Sequence, residues 1–427
     1  MPHDTSLIAT IAVGLAFAFV GGFAAARLGL PPLIGYLLAG IAVGPFTPGF
    51  VADTKLAPQL AEIGVILLMF GVGMHFSVRD LWAVRAVAVP GAIVQIAVAT
   101  ALGAGGAALW GWPLGAGLVF GLALSVASTV VLLRALEDRG LLDSSDGRIA
   151  VGWLIVEDLL MVLALVLLPA VAGLFGAPAA GGAPPGGLWV ALGLTLGKVT
   201  AFVALTLVVG ARVFPWLLKR VEGTGSRELF TLAVIALSLG VAFESAELFG
   251  VSFALGAFFA GVVVHESDLS HRAASELQPL QDAFAALFFV AVGMLFDPAV
   301  FVRQPLQVLA VVTIIVVGKP AAALVIVLVL RRPLRMALTV SAGLAQVGEF
   351  SFILAELGVA LGLLPPEGQS LVVAGALLSI TLNPLAFYAV GRWAPAGRPN
   401  QALPLTPAAT QVSGSSQPTD AASAGQL

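Results

Sequence analysis

The feature that most constrains this chain is the recurrence, almost from end to end, of long apolar segments separated by short charged or Gly/Pro-rich turns. At a rise of about 1.5 Å per residue, roughly twenty such residues cross a hydrocarbon core of about 30 Å as one helix. Of the 427 residues, 59% are hydrophobic and only 10% are charged, so most of the chain cannot face water. The predicted fold is therefore all-α, a polytopic membrane protein whose thirteen spans cover residues 6–27, 32–45, 57–75, 83–110, 113–135, 147–171, 188–214, 228–245, 249–265, 281–296, 304–330, 336–358 and 368–392. The first segment is too long for the core of a cleaved leader and has no basic region before it, so it reads as a retained span. The short spans 32–45 and 281–296, interrupted by Gly or Pro, suit helices packed inside a bundle.

Charge placement gives an orientation. With the N-terminus outside, sixteen of the twenty Lys and Arg residues collect in one set of loops, and the opposite loops hold only Lys55 and Arg303. The positive-inside rule then puts the N-terminus in the periplasm and the C-terminus in the cytoplasm of a bacterial inner membrane, with an odd number of spans. The two remaining cations, Lys198 and Lys319, fall within spans. There is no cysteine, which removes disulfides and thiolate metal sites. Residues 394–427, rich in Ala, Pro, Ser, Gln and Thr, lack the large apolar residues needed to pack and read as a disordered cytoplasmic tail.

An internal repeat organises the spans. Gly35–Gly40 in the second span (GYLLAG) matches Gly256–Gly261 in the ninth (GAFFAG), and LAEIGVILLMFGVGMHF (60–76) matches LQDAFAALFFVAVGMLF (280–296), aligning Gly73 with Gly293. The offsets are 221 and 220 residues, and the partners stand seven spans apart, an odd number. The two copies therefore run through the membrane in opposite directions, an inverted-topology repeat over about 6–171 and 228–392 joined by a linker helix at 188–214.

Ionisable groups held in hydrocarbon cost about 3 kcal/mol or more each, so each needs a partner or a task. The sixth span places Glu157 and Asp158 side by side about ten residues beyond Arg148, near the bilayer centre. Successive helical residues point about 100° apart, so one of the two is predicted to face the bundle interior. A carboxylate that merely ties helices together is the alternative, although such ties are usually Ser, Thr, Asn or Gln. Lys319 is too far from either helix end to snorkel and requires an anion. Asp158 is the nearest candidate in kind, either as a switch in which a cation displaces the ammonium or as a permanent buried pair. Lys198 reads as a locally paired cation.

The fifth span carries Ser125, Ser128 and Thr129, and its repeat partner, the twelfth, carries Gln346, Gly348 and Glu349. Such helices are predicted to unwind at mid-membrane, offering carbonyls and hydroxyls to a cation. Hydroxyls bonded back to their own helix would explain the serines but not Glu349. No Gly-rich phosphate loop, GxSxG elbow or His/Glu metal motif supports an enzyme or an ATP-driven pump. No TVGYG-type filter supports a channel, and neither a cofactor nor nucleic acid is suggested. The cluster HESDLSHR (265–272) reads as a solvated loop. Buried charges on a repeat of this kind point to a secondary transporter; a gated K+ channel and a receptor without flux are the rivals.

The stretches LPPLIGYLLAGIAVGP (30–45), LALSVASTVVLLRALEDRG (122–140), RIAVGWLIVEDLLMVLALVLLPAVAG (148–173), FFVAVGMLFDP (288–298) and LAQVGEFSFILAELG (344–358), with 225–261 and 266–274, cover most of the first 390 residues. Together they resemble the monovalent cation:proton antiporter-2 family, in particular the Kef-type potassium efflux transporters of the YbaL-like branch. The resemblance implies an exchanger domain over 1–393, divided into a dimerisation part and a core part, with crossed discontinuous helices at the fifth and twelfth spans. It also implies elevator-type exchange of K+, or alternatively Na+, for H+ by a lipid-embedded homodimer. The family's ion-binding aspartate falls on Asp158, the position before it on Glu157 and its core lysine on Lys319. Its crossing-helix polar positions fall on Ser128, Thr129, Gln346 and Glu349. Cation and proton binding is thus expected of Asp158, Glu157, Ser128 and Thr129, charge compensation of Lys319 and Glu349, and crossing-helix polarity of Gln346 and Ser125. Two departures stand out. Kef proteins carry Gln where this chain has Glu157, and the usual C-terminal nucleotide-binding regulatory domain is absent from this chain, so nucleotide or glutathione control is not implied.

Overall fold

The computed structural model describes residues 6–48, 56–75, 78–142, 144–175 and 187–393, and among these every regular element is a helix. The expected tail at 394–427 lies outside the described residues. The spans are α1 (Ser6–Arg27), α2 (Pro32–Val43), α3 (Leu56–His75), α4 (Val78–Leu109), α5a (Leu114–Ser125) with α5b (Thr129–Glu137), and α6 (Ser145–Val171). α7 runs from Gly187–Leu205 through a π-turn, Thr206–Gly210, into Ala211–Glu222, and α8 (Arg227–Phe249), α9 (Phe253–His265) and α10 (Ser270–Met294) follow. α11 joins Pro305–Thr313, a second π-turn at Ile314–Gly318 and Lys319–Val329; α12a (Leu334–Leu344), α12b (Glu349–Ala360) and α13 (Pro366–Trp393) complete the bundle.

Ten of these spans are long and apolar enough to cross a membrane, α12a with α12b forms one more with a 45° bend, and α2 and α9 are shorter apolar helices. Together they account for the thirteen expected spans. Local chemistry sets many of the ends. Pro32 opens α2 at the position where a missing N–H costs nothing. The hydroxyls of Ser144 and Ser226 cap α6 and α8, and Gly250 closes α8 at φ 64°.

The largest departure from an expected boundary is at the tenth span. It begins at Ser270 rather than 281, because its polar first turns stay helical beyond the apolar run. The 265–272 cluster is therefore only partly a loop, and Lys219 at the end of α7 pairs with Asp268 within it at 2.8 Å. That pair holds the exposed Asp268 carboxyl below its ordinary range.

The repeat is visible in the packing. α2 crosses α10 so closely that a Cβ on Gly40 would come within 2.9 Å of Gly293 Cα. α9 crosses α3 in the same way, a Cβ on Gly261 coming within 3.0 Å of Gly73 Cα. Exchanging each glycine for its repeat partner turns one crossing into the other, so this half of the bundle, with α1, is pseudo-symmetric. The other half packs α4 against α5a, α6 and α11, and α12a against α6, α11 and α13.

Candidate functional site

Two helices break where small polar residues interrupt apolar runs. After Ser125 the backbone runs extended through Val126, and Ser128 restarts the helix, its hydroxyl accepting from the Val131 N–H at 3.3 Å. The second break lies between Leu344 and Glu349. Its Gly348 is extended, so no left-handed conformation calls for glycine; space does, since a Cβ there would lie 2.6 Å from Ala127 O and 2.7 Å from Ser128 Cα. Thr129 and Glu349, first residues of the two second halves, are repeat partners at the same offset as Gly73 and Gly293.

The breaks cross and are stitched together. Gly348 N–H donates to Val126 O at 3.3 Å. The Gln346 amide accepts from Ser128 N–H at 2.8 Å and donates to Ser128 O at 3.0 Å, imitating a neighbouring strand for a residue that has left its helix.

Carboxylates surround this crossing. Glu157 Oε2 accepts from Ala127 N–H at 2.9 Å, and Asp158 Oδ2 accepts from the Thr129 hydroxyl at 3.0 Å. Both are buried, at 0% and 4% exposure. The expectation that only one of them faces the interior is thus corrected: their 100° separation lets them reach residues on either side of Ser128, Ala127 in the break and Thr129 at the start of α5b. Glu349 is buried in the first turn of α12b, where unpaired N–H groups favour negative charge, and it lies in the electrostatic field of Asp158. Glu157 Oε1, Asp158 Oδ1 and Glu349 Oε2 are buried oxygens that make no hydrogen bond within the protein.

Lys319 follows the π-turn of α11, whose wider turn resets the rotation of the helix. Its Nζ donates to Gln346 O at 2.7 Å, and the carboxylate that acts on it is Glu157. The expected pairing with Asp158 is corrected: the lysine's hydrogen bond goes to the Gln346 carbonyl, and Asp158 Oδ2 accepts from the Thr129 hydroxyl instead. Ser125 sits at the break, but its hydroxyl bonds back to Leu122 O at 2.7 Å. Lys198 is not brought to the crossing; it lines a separate cavity of about 540 Å³ with Pro169 and Ser252.

Two site residues escaped the sequence reading. Gln95 Nε2 donates to Ser125 O at 2.9 Å, and Asn383 Nδ2 donates to Ala342 O at 2.8 Å. Both are buried. Their signal was available: each is an amide in the middle of an apolar span, the pattern that singled out Lys319. Their effect alters the expected donor set. Carbonyls at Ser125, Val126, Ser128, Ala342 and Gln346 already accept hydrogen bonds, whereas the carboxylates beside them each keep one buried oxygen that does not.

Cavities approach the crossing from two sides. One of about 490 Å³, lined by Arg134, Asp138 and Arg139, reaches Val131 and Asn383. Another of about 260 Å³, lined by Glu62 and Glu356, reaches Ile353, one turn from Glu349.

Residues 14–393 match the family described as sodium/hydrogen exchanger, transmembrane. The chain is 63% identical over 387 residues to YbaL of Escherichia coli, a candidate cation/proton antiporter, covering 91% of this chain and 69% of YbaL. It is 35% identical over 386 residues to K+ efflux antiporter 4 of Arabidopsis thaliana, covering 90% of this chain and 64% of that protein. In structure it resembles the sodium proton antiporter of Methanocaldococcus jannaschii, with a TM-score of 0.67 over 90% of this chain and 99% of that one. At 16% identity that likeness shows the fold alone.

Proposed function

The chain belongs to the transmembrane sodium/hydrogen exchanger family, and from that premise we propose that it exchanges a monovalent cation, K+ by preference, for protons at Asp158. The observation that carries this is Asp158 itself, buried beside Thr129 and Glu349 with one oxygen unbonded. A bare carboxylate in so apolar a place is costly, so it holds either a proton or a cation. Because the two compete for the same oxygens, the carrier crosses loaded with one or the other, and that exclusion is what couples the fluxes.

The two cavities support alternating access, and the division of the bundle into two packed halves supports an elevator-type movement of the half carrying α4–α6 and α11–α13. Glu157, bonded by the Ala127 N–H and in the electrostatic field of Lys319, is the group that holds the ammonium while Asp158 cycles; one cation then exchanges for one proton. The K+ preference rests on what the relatives are named for. Na+ is the second reading, favoured by a donor set of few, strongly anionic oxygens. The exchanger domain is 1–393, working as a homodimer in a bacterial inner membrane. Sixteen of the twenty basic residues would face the cytoplasm, with the N-terminus in the periplasm.

Reconstitution into liposomes with a pH dye, under K+ and then Na+ gradients, tests the proposal. Wild-type protein is expected to exchange both ions with K+ ahead, and Asp158→Asn to abolish exchange at normal expression. Wild-type rates in that variant would remove Asp158 from the role.

A further inference from the structure

We propose that Gln95 and Asn383 determine cation selectivity by withholding backbone carbonyls from the ion. This rests on the reading of the crossing as the cation site. The last carbonyls of a half-helix carry the negative end of its dipole, and in a broken helix at mid-membrane they are ready ligands for an alkali ion. At α5a and α12a those oxygens are occupied. The Gln95 amide, from unbroken α4, donates to Ser125 O at 2.9 Å, and the Asn383 amide, from unbroken α13, donates to Ala342 O at 2.8 Å.

Both amides stand fully buried in apolar spans, where leucine would be the cheaper residue, so their hydrogen bonds are what the positions require. Gln95 is itself oriented by the Trp153 indole N–H, 3.5 Å from its Oε1, which leaves its NH2 group aimed at the break. With these carbonyls hydrogen-bonded, the buried side-chain oxygens left without a partner at the crossing include Asp158 Oδ1 and Glu349 Oε2. Few ligands of strong field offset best the dehydration of a small ion, whereas additional neutral carbonyls favour a larger one. Uncapping a carbonyl therefore shifts preference from Na+ toward K+.

The test is the ratio of apparent K+ and Na+ affinities in proteoliposomes. Gln95→Leu is expected to move it about fivefold toward K+, more through the affinities than through the maximal rate. Asn383→Leu moves it in the same direction by less, because Ala342 O still accepts from the Ala345 N–H at 3.3 Å. Gln95→His, assayed at about pH 8 so that a neutral ring keeps an N–H donor at similar reach, restores the wild-type ratio. Gln95→Met is measured alongside, so that misfolding of one variant leaves the ratio readable in the others. Variants that lose thermal stability while the ratio stays at the wild-type value would overturn the proposal, reducing both amides to structural ties. Absence of any exchange by the wild-type protein would overturn the antiport reading together with this one.

Discussion

Adjacent residues at this crossing have different tasks because a helix separates neighbours by about 100°. Glu157 accepts from the Ala127 N–H, while Asp158 accepts from the Thr129 hydroxyl. The Thr129 hydroxyl is the neutral member of the second set, and its donation to Asp158 Oδ2 orients the carboxylate so that Oδ1 stays open. Thr129→Val keeps the branched shape and removes the hydroxyl. At about 1 kcal/mol for a hydrogen bond of this kind, the apparent cation affinity is expected to weaken about fivefold, with a smaller effect on maximal rate. A cation titration in proteoliposomes reads the split. An unaltered titration would remove this hydroxyl from the site.

For the broken elements, the decisive quantity is how closely two backbones can approach. Gly348 has no special dihedral to defend, yet an added Cβ would press on the backbone of Ala127 and Ser128, which cannot rotate away as a side chain would. Gly348→Ala is expected to separate the two breaks, weaken the Gly348–Val126 and Gln346–Ser128 hydrogen bonds and lower stability by about 1–3 kcal/mol, with loss of exchange. Gly240 in the middle of α8 is the control, because a Cβ there meets nothing within 4 Å. Gly240→Ala is expected to stabilise that helix by about 0.5–1 kcal/mol and leave exchange intact. Thermal unfolding in detergent compares the two; equal effects would mean that the crossing tolerates more room than its distances indicate.

Over the whole molecule, charge balance decides whether the membrane potential drives exchange. One carboxylate cycling between proton and cation moves no net charge per turnover, provided Lys319 keeps its proton beside Glu157 throughout. With liposomes clamped at zero and at large potentials and the cation gradient fixed, the reversal point is expected not to move with voltage. A reversal point that shifts in the wild type and stops shifting in Lys319→Gln would make the lysine a second proton carrier and the exchange electrogenic.

Much of this architecture was legible in the residues. Lipid forces each span to satisfy its backbone hydrogen bonds internally, so the number of spans follows from apolar run length alone, and two short glycine-bearing strings were enough to reveal the inverted repeat. The same logic singled out Ser128, Thr129, Gln346 and Glu349, since polar groups in an apolar run must find partners. It would have reached Gln95 and Asn383 had amides been weighed like charges. What the sequence by itself could not determine is who those partners are. Whether Lys319 meets Glu157 or Asp158, whether one or both of those carboxylates face inward, and which carbonyls remain free all depend on the rotation of each helix about its axis. That rotation is set by packing and hydrogen bonds between segments far apart in the chain, such as the Gln346–Ser128 bond spanning 218 positions, and no local pattern encodes it.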